Sequence, residues 1–400
     1  MIDNTKLQGN IINNYVFIFL SNLNLTHGLW MIYLANKGMS LVQLGILEGV
    51  FHITSFLMEV PTGLVADIYS RKTSRIFGRI LALVSIMILL LADSFSLFAL
   101  SFVFTALSYN LESGAGEALI YDSLKILERE DQYMKISGKI EVSYQLGSVI
   151  ALLLGGYLAT INYKYAFILT MVFISLTIVQ SFKFEEPYVE KDNKADRSVR
   201  SILYEQISQS LKVVKDNKKV GFIIIFTQVI LAFGTSLFFY LQNFLKSNGH
   251  NEFFIGTIFA IAAIADAIAC SQTFKLEKII KEKGILMIMP FITVICMWLI
   301  ALTDYSYVFY IIMMGAEGII FVATSDYINK LIPSKNRATI LSFASMVFSF
   351  FMIFIFPLIG KIGDVFSLQI AFLFLSILGT FFAIGNFLLL VFVEKRRNRV

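Results

Sequence analysis

An all-α polytopic membrane protein of twelve spans is the fold class this sequence predicts, and three observations carry that reading. Hydrophobic residues make up 57% of the 400 and charged residues 15%, against about 45–50% and about 25% in a soluble domain. So little polar residue cannot clothe a water-soluble globule of this size, and so much apolar residue excludes a disordered chain. Phe contributes 39 residues and Pro only 5, the profile of long apolar helices. The apolar runs reach bilayer length and do not alternate, which excludes the strands of a membrane barrel.

A hydrocarbon core about 30 Å thick needs roughly 20 helical residues. Runs of that order fall at 11–34, 41–66, 76–93, 96–121, 138–160, 163–182, 219–245, 253–274, 285–303, 306–329, 338–359 and 367–393. With the N-terminus placed in the cytoplasm, 29 of the 33 basic residues lie on the cytoplasmic side. Only Lys37, Lys164, Lys246 and Lys361 lie outside. A miscounted span would scramble that asymmetry, so the positive-inside rule supports twelve spans with both termini cytoplasmic in a cell membrane. The net charge of +5 is then a topology signal and implies no nucleic-acid partner. No small-residue cleavage site follows the first apolar run, which is expected to stay as the first span. The polar stretch from Lys183 to Lys219 parts six spans from six. The expected domains are a six-helix bundle over 1–182, a cytoplasmic linker over 183–218 and a second bundle over 219–400, the plan of a parallel repeat.

The remaining composition excludes several function classes. Cys270 and Cys296 fall in apolar segments and build no disulfide framework. His27, His52 and His250 are scattered, with no metal-ligand spacing. There is no GxxxxGK[ST], so no nucleotide is gripped by a P-loop of this chain. No cofactor is expected, and if the chain moves a solute the energy comes from an ion gradient or a separate subunit.

Between the second and third spans the chain reads Gly63-Leu64-Val65-Ala66-Asp67-Ile68-Tyr69-Ser70-Arg71-Lys72, preceded by Glu59-Val60-Pro61-Thr62. This resembles the signature loop of the major facilitator superfamily, with Ser70 where the family usually has Gly. Three further segments extend the resemblance to its twelve-span drug–proton antiporters. Ser113–Leu124 is similar to their fourth span. Pro333-Ser334-Lys335-Asn336-Arg337 is similar to the loop into the eleventh. Gly147 with Gly155-Gly156 is similar to the antiporter motif of the fifth. The family's Gly-Pro there is replaced by Ala151-Leu152, and its fourth-span Arg by Asn110. The resemblance implies two six-helix repeats and a gating loop of Gly63, Asp67, Arg71 and Lys72 whose partner lies near Arg337. On physical grounds Gly63 permits close helix approach. Asp67 can cap a helix N-terminus or pair with a cation, and Arg71 and Lys72 hold the loop inside. Asp122 and Asp326 are expected as structural partners of Arg71, Lys72 or Arg337.

A carboxylate at the bilayer centre costs about 2.5–3.5 kcal/mol on insertion scales and needs a reason. Acids fall inside spans at Glu48, Glu59, Glu112, Glu117, Glu141, Asp266, Glu317 and Asp326. Glu48, His52 and Glu59 form one helical stripe, and Gly45 with Gly49 gives the same span a close-packing face. Glu112 and Glu117 are five apart and point to different sides. By repeat symmetry the fourth span corresponds to the tenth, which carries Glu317. The proton-coupling candidates are therefore Glu112, Glu317, Glu48 and Glu117. Each has a structural alternative as a buried acid held by hydrogen bonds.

Asn24 and Trp30 in the first span, Tyr109 in the fourth, Tyr144 and Gln145 in the fifth, and Gln228, Tyr240 and Gln242 in the seventh are candidate substrate groups. Aromatic faces with acids suit lipophilic cations, although ordinary packing is an alternative for each. The expected function is that of a monomeric secondary transporter, not an enzyme. It would export drugs or other lipophilic small molecules by proton-coupled alternating access. An importer or symporter on the same fold is the alternative, kept open by the missing Gly-Pro. A lipid-modifying membrane enzyme is a further rival, weakened by the lack of a paired His/Asp motif and of a soluble domain.

Overall fold

The computed structural model describes residues 4–187, 201, 204, 208, 212, 214–332 and 337–397, with side chains for all of these except 4, 67, 68, 337–339, 341, 342 and 392–397. Most of the linker expected over 183–218 lies outside the described residues. Helices follow in the order α1 (Asn4–Ser21), α2 (Trp30–Asn36), α3 (Leu41–Ile68), α4 (Arg71–Leu91), α5 (Phe95–Ile126), α6 (Tyr133–Ile161), α7 (Tyr163–Ser181), α8 (Lys218–Ser247), α9 (Glu252–Leu302), α10 (Ser306–Leu331), α11 (Arg337–Val365) and α12 (Leu368–Arg397). Among the described residues there is no strand.

Among the described residues, ten helices are long and apolar enough to cross a membrane, and the chain crosses twelve times. The 51 residues of α9 would extend about 77 Å at 1.5 Å per residue, far beyond one bilayer core. The helix breaks at Lys281, with φ 63° and ψ 172°, so it supplies two crossings. The loop expected around Lys275–Lys283 is therefore mostly helical. The first crossing is the opposite case, one span made of two helices, α1 and α2.

The break in that span corrects the single helix expected over 11–34. Backbone inside a membrane must find its hydrogen bonds within the protein, and the residues from Asn22 to Leu29 supply them locally. The Asn24 side-chain oxygen accepts from the Thr26 amide at 3.2 Å and from its hydroxyl at 2.7 Å, the turn-forming habit of Asn. Asn22 donates to the Ile18 carbonyl at 2.8 Å. The Leu25 amide donates to the Thr170 hydroxyl of α7 at 3.1 Å. Room for the bent chain comes from α6, where Gly155 lies so close that a Cβ would stand 2.2 Å from the Leu25 carbonyl oxygen.

The described residues form two compact units. The first holds Met1–Lys37, Leu47–Tyr204 and Asn251–Thr257; the second holds Gly38–Ile46, Glu205–His250 and Ile258–Val400. In the first, α4 and α5 pack through small polar residues. The Ser85 hydroxyl donates to the Ser101 carbonyl at 2.9 Å and the Ser101 hydroxyl to the Ser85 carbonyl at 3.0 Å. Further along, the Ser74 hydroxyl donates to the Leu111 carbonyl at 2.6 Å. Small hydroxyl residues bring two helices close and bond them where lipid offers no alternative. In the second unit, α8 is the central helix, and its Ile223, Ile224 and Phe226 join Ile285, Ile320 and Ile340 of neighbouring helices in one apolar cluster.

The same α4–α5 interface carries the most deeply buried charge among the described residues. Arg75 is 0% exposed, its guanidinium 2.9 Å from Glu112 Oε1, with Nε donating to Oε2 at 3.2 Å. Phe17 and Phe184 lie against the guanidinium, their centroids 3.9 and 4.4 Å away. Spans at 41–66 and 76–93 leave Arg75 in the cytoplasmic loop between them. Because α4 begins at Arg71, Arg75 and Arg79 instead stand one and two turns into a helix, on its face with Arg71.

Two outcomes follow, each read by thermal unfolding of the purified protein. Gly155→Ala forces a methyl group onto a backbone carbonyl, so it costs about 1–3 kcal/mol and lowers Tm. Gly138→Ala, where a Cβ meets nothing within 4 Å, leaves Tm unchanged or raises it. Glu112→Gln strands the Arg75 charge and costs about 3–5 kcal/mol, whereas the double variant Arg75→Met/Glu112→Leu recovers most of that loss.

Candidate functional site

The signature loop lies where α3 ends and α4 begins. Ser70, in place of the family's Gly, is the residue that caps α4: its hydroxyl oxygen accepts from the Thr73 amide at 2.9 Å. Serine is among the residues best suited to that position, so the departure costs the turn nothing. The first two amides of α4 find a second acceptor outside the loop. The Arg71 amide donates to Glu186 Oε1 at 3.0 Å and the Lys72 amide to Oε2 at 2.9 Å. A carboxylate there also meets the positive end of the helix dipole. Glu186 is held in place by its neighbours, since the Glu185 amide donates to Asn10 Oδ1 at 2.9 Å and Asn10 Nδ2 donates back to the Glu185 carbonyl at 2.8 Å.

Arg71 pairs with Asp122, the structural partnership expected of that acid. Asp326 pairs instead with Lys330, one turn along α10, at 2.5 Å. No helix presses on Gly63, where a Cβ would meet nothing within 4 Å. It lines a cavity of about 180 Å³ with Ala66, Arg71, Asn110 and Gly114, so its small size leaves space and makes no close contact. The side chains of Asp67 and Arg337 lie outside the described residues.

The start of α3, in the second unit, has the same kind of anchor. The Asp364 carboxylate accepts from the Leu41 amide at 2.9 Å and the Val42 amide at 2.8 Å. Ser40 and Gln43 complete a reciprocal box, Ser40 N donating to Gln43 Oε1 at 2.9 Å and Gln43 N to Ser40 Oγ at 3.3 Å. Gly45 is packed tightly, as its small-residue spacing led one to expect. A Cβ there would stand 2.7 Å from the Phe356 carbonyl oxygen.

The intramembrane acids fall into distinct settings. Glu112 is the counter-ion of Arg75. Glu48 is buried with His52, whose Nε2 is 3.8 Å from its Oε1. Glu117 is exposed. Glu317 is 4% exposed, belongs to no ion pair among the described residues, and its Oε1 has no hydrogen-bond partner. Two glycines give this region its space. A Cβ on Gly234 of α8 would stand 1.9 Å from Glu317 Oε2, and one on Gly318 would stand 1.9 Å from Asp266 Oδ1.

The candidate substrate groups differ in their surroundings. Tyr109 and Tyr144 are exposed, while Asn24 and Gln228 are half-buried. Gln145 donates to Glu141 at 2.9 Å. Trp30 is buried edge-on against Phe102, centroids 5.0 Å apart. The Tyr240 hydroxyl donates to the Phe356 carbonyl at 2.8 Å and lies 3.2 Å from that of Leu41, which is a packing role. Gln242 is fully buried with neither side-chain polar atom bonded. Residues the sequence did not single out are Arg75, Glu186 and Asp364. A signal existed for the first, in the Arg71, Arg75, Arg79 stripe at four-residue spacing.

Residues 12–323 match the family model of the Major Facilitator Superfamily. An uncharacterized MFS-type transporter of Bacillus subtilis (strain 168), YxaM, is 25% identical over 359 residues, covering 87% of this chain and 88% of its own. Among solved structures, the nucleoside transporter NupG (D323A mutant) superposes with a TM-score of 0.78 at 16% identity, over 96% of this chain and 98% of its own. A bacterial homolog of the human lysosomal transporter Spinster, inward-facing and unoccupied, gives 0.75 at 14% identity, over 96% of both chains. A D-xylose-proton symporter gives 0.72 at 12%, again over 96% of both. At these identities the likeness is one of fold, two repeats of six helices. With the family model spanning most of its length, the chain belongs to the Major Facilitator Superfamily and is a membrane transporter.

Proposed function

We propose that this transporter exports lipophilic small molecules, drugs among them, from the cytoplasm across the cell membrane in exchange for protons. In this reading both termini are cytoplasmic, the protein works as a monomer, and six-helix bundles over 1–182 and 219–400 joined by the 183–218 linker alternate access to a shared substrate path. The observation that carries the reading is Glu317, an acid buried inside a bundle of apolar helices with an oxygen that nothing bonds. A charge so placed is costly, and acids in such places mark proton relays. Glu112, whose negative charge is committed to Arg75, serves as a structural counter-ion. Glu48 and Glu117 are secondary proton groups. Asp67, with Gly63, Arg71, Lys72 and Arg337, gates the cytoplasmic side.

The energetics suffice. One charge crossing 100 mV is worth about 2.3 kcal/mol, between one and two decades of accumulation. The second reading is import or symport of a small solute on the same fold. It is favoured by Ala151-Leu152 standing where the antiporter motif has Gly-Pro. Family membership weighs against a lipid-modifying enzyme.

Expressed in a bacterium stripped of its own efflux pumps, the protein should raise tolerance to lipophilic cations such as tetraphenylphosphonium and ethidium by up to about ten-fold or more. An uncoupler should abolish the gain, and Glu317→Gln at equal expression should reduce it to the vector level. Tolerance that survives the uncoupler, or a transporter that sensitises the cell to every compound of the panel, contradicts export by proton exchange.

A further inference from the structure

The exposed surface of α5 changes character along its length. Toward the helix start it includes Leu97 and Leu100, as a lipid-facing surface requires. From Tyr109 to Lys125 the exposed residues are Tyr109, Ser113, Gly114, Glu117, Tyr121 and Lys125, with no aliphatic side chain among them. All but Gly114 repeat at every fourth residue, the inclined row of neighbours that such spacing makes on a helix. The row rises about 24 Å at 1.5 Å per residue, most of a hydrocarbon core about 30 Å thick. Phenols, a hydroxyl, a carboxylate and an ammonium over that length do not suit hydrocarbon. Ionisable groups in a span face the bundle interior or water-filled space, and these, being exposed, face water-filled space.

Within the first unit, α3 and α6 flank this row. Phe51 of α3 lies against Tyr109, centroids 6.1 Å apart. Tyr133, at the start of α6, stands at right angles to Tyr121, centroids 5.3 Å apart. Gly114 and Ala118, one turn before and one residue after Glu117, line the cavity of about 180 Å³ together with Gly63 and Ala66 of α3. A Cβ on Gly63 or on Gly114 would meet nothing within 4 Å, so the two glycines leave this slot open. Its polar lining groups are already answered, Arg71 by Asp122, Asn110 by Ser55 and Thr62 by the Met58 carbonyl. What it takes up is therefore apolar, and a cavity of about 150 Å³ already admits one benzene ring. Of the other acids on this side, Glu112 pairs with Arg75 and Glu141 accepts from Gln145. Glu117, exposed, forms no ion pair among the described residues.

We infer that the C-terminal half of α5 carries a subsite for an aryl-bearing organic cation, with Glu117 as its counter-ion, Tyr121 as its aromatic wall and the slot at Gly63 and Gly114 as the place of one ring. A carboxylate and a phenol one turn apart on one helix row meet the same cation from two sides, the first by charge and the second by the face of its ring. Tyr133 fixes the plane of Tyr121 by packing at right angles to it. The inference rests on the export reading and deepens it, since it names the substrate class and gives Glu117 the substrate's charge to hold.

Equilibrium binding to the full chain in lipid nanodiscs, with empty nanodiscs as the blank, tests this with two probes. Tetraphenylphosphonium carries the charge; triphenylphosphine oxide is a neutral relative of similar bulk. The wild type should bind the cation more tightly than the neutral compound. Glu117→Gln should weaken the cation by about ten-fold or more and leave the neutral probe unchanged. Tyr121→Leu should weaken the cation by about three-fold or more, while Tyr121→Phe, which keeps the ring, should not. Gly114→Leu, which fills the slot, should weaken both probes. Wild-type affinity for the cation in Glu117→Gln, or equal loss of both probes there, overturns the subsite, and an unaffected Gly114→Leu overturns the slot. Should Glu117→Gln bind normally while an uncoupler still abolishes export, proton exchange stands and the substrate's counter-ion lies elsewhere. A wild type that binds neither probe overturns this inference and the export of lipophilic cations together.

Discussion

Hydrocarbon gives a charge or a backbone polar group nothing to bond, and the architecture of this transporter follows from meeting that constraint inside the protein. Arg75, fully enclosed, is met by Glu112 and by the faces of two phenylalanines. The helix break from Asn22 to Leu29 is met by Asn24, Asn22 and Thr170. The starts of α3 and α4 are met by the carboxylates of Asp364 and Glu186, each forked onto two successive amides. Against that background Glu317 is a buried acid with one oxygen that no hydrogen bond reaches.

Two buried acids of the two units stand in different settings. In the first unit, Glu112 is matched by the fixed charge of Arg75, and removing either partner leaves the other stranded. Such a pair serves stability and gives nothing to a gradient. In the second, Glu317 lies against Gly234 with one oxygen that no hydrogen bond reaches, and in the proposed mechanism its charge is met by a proton that can come and go. This is the physical distinction on which the proposed mechanism rests: a counter-ion that is part of the chain holds a bundle together, and one that arrives from solution can be exchanged for cargo.

Much of this was legible in the sequence because it is written one-dimensionally. Apolar run length and the placement of basic residues fix the number of crossings, and Gly63–Lys72 with its companion segments points to the family. What stayed hidden depends on which way residues face. The run 11–34 is apolar enough on average to conceal the Asn22–Leu29 break, because hydropathy counts side chains and ignores a backbone kept in place by Asn24 and Thr170. Arg75 looked like one more loop cation, since the positive-inside rule sorts charges by side of the membrane and is blind to enclosure. Glu112 and Glu317 looked equivalent by repeat symmetry; the arginine that separates them comes from another helix, and so does the glycine that gives Glu317 its space. Glu186 and Asp364 act as caps far from the helices they cap, which no local pattern reveals. The role of Ser70 was within reach, because serine at a helix start has a known preference.

The central claim, that the exchangeable proton resides at Glu317 and that Glu112 is a fixed counter-ion, is tested most directly by counting protons released when a cation binds. Tetraphenylphosphonium added to the purified protein in weakly buffered solution, with a pH indicator, gives that count. The account predicts proton release from the wild type and from the Arg75→Met/Glu112→Leu double variant, and none from Glu317→Gln at equal binding. Release that persists in Glu317→Gln and vanishes in the double variant would contradict it.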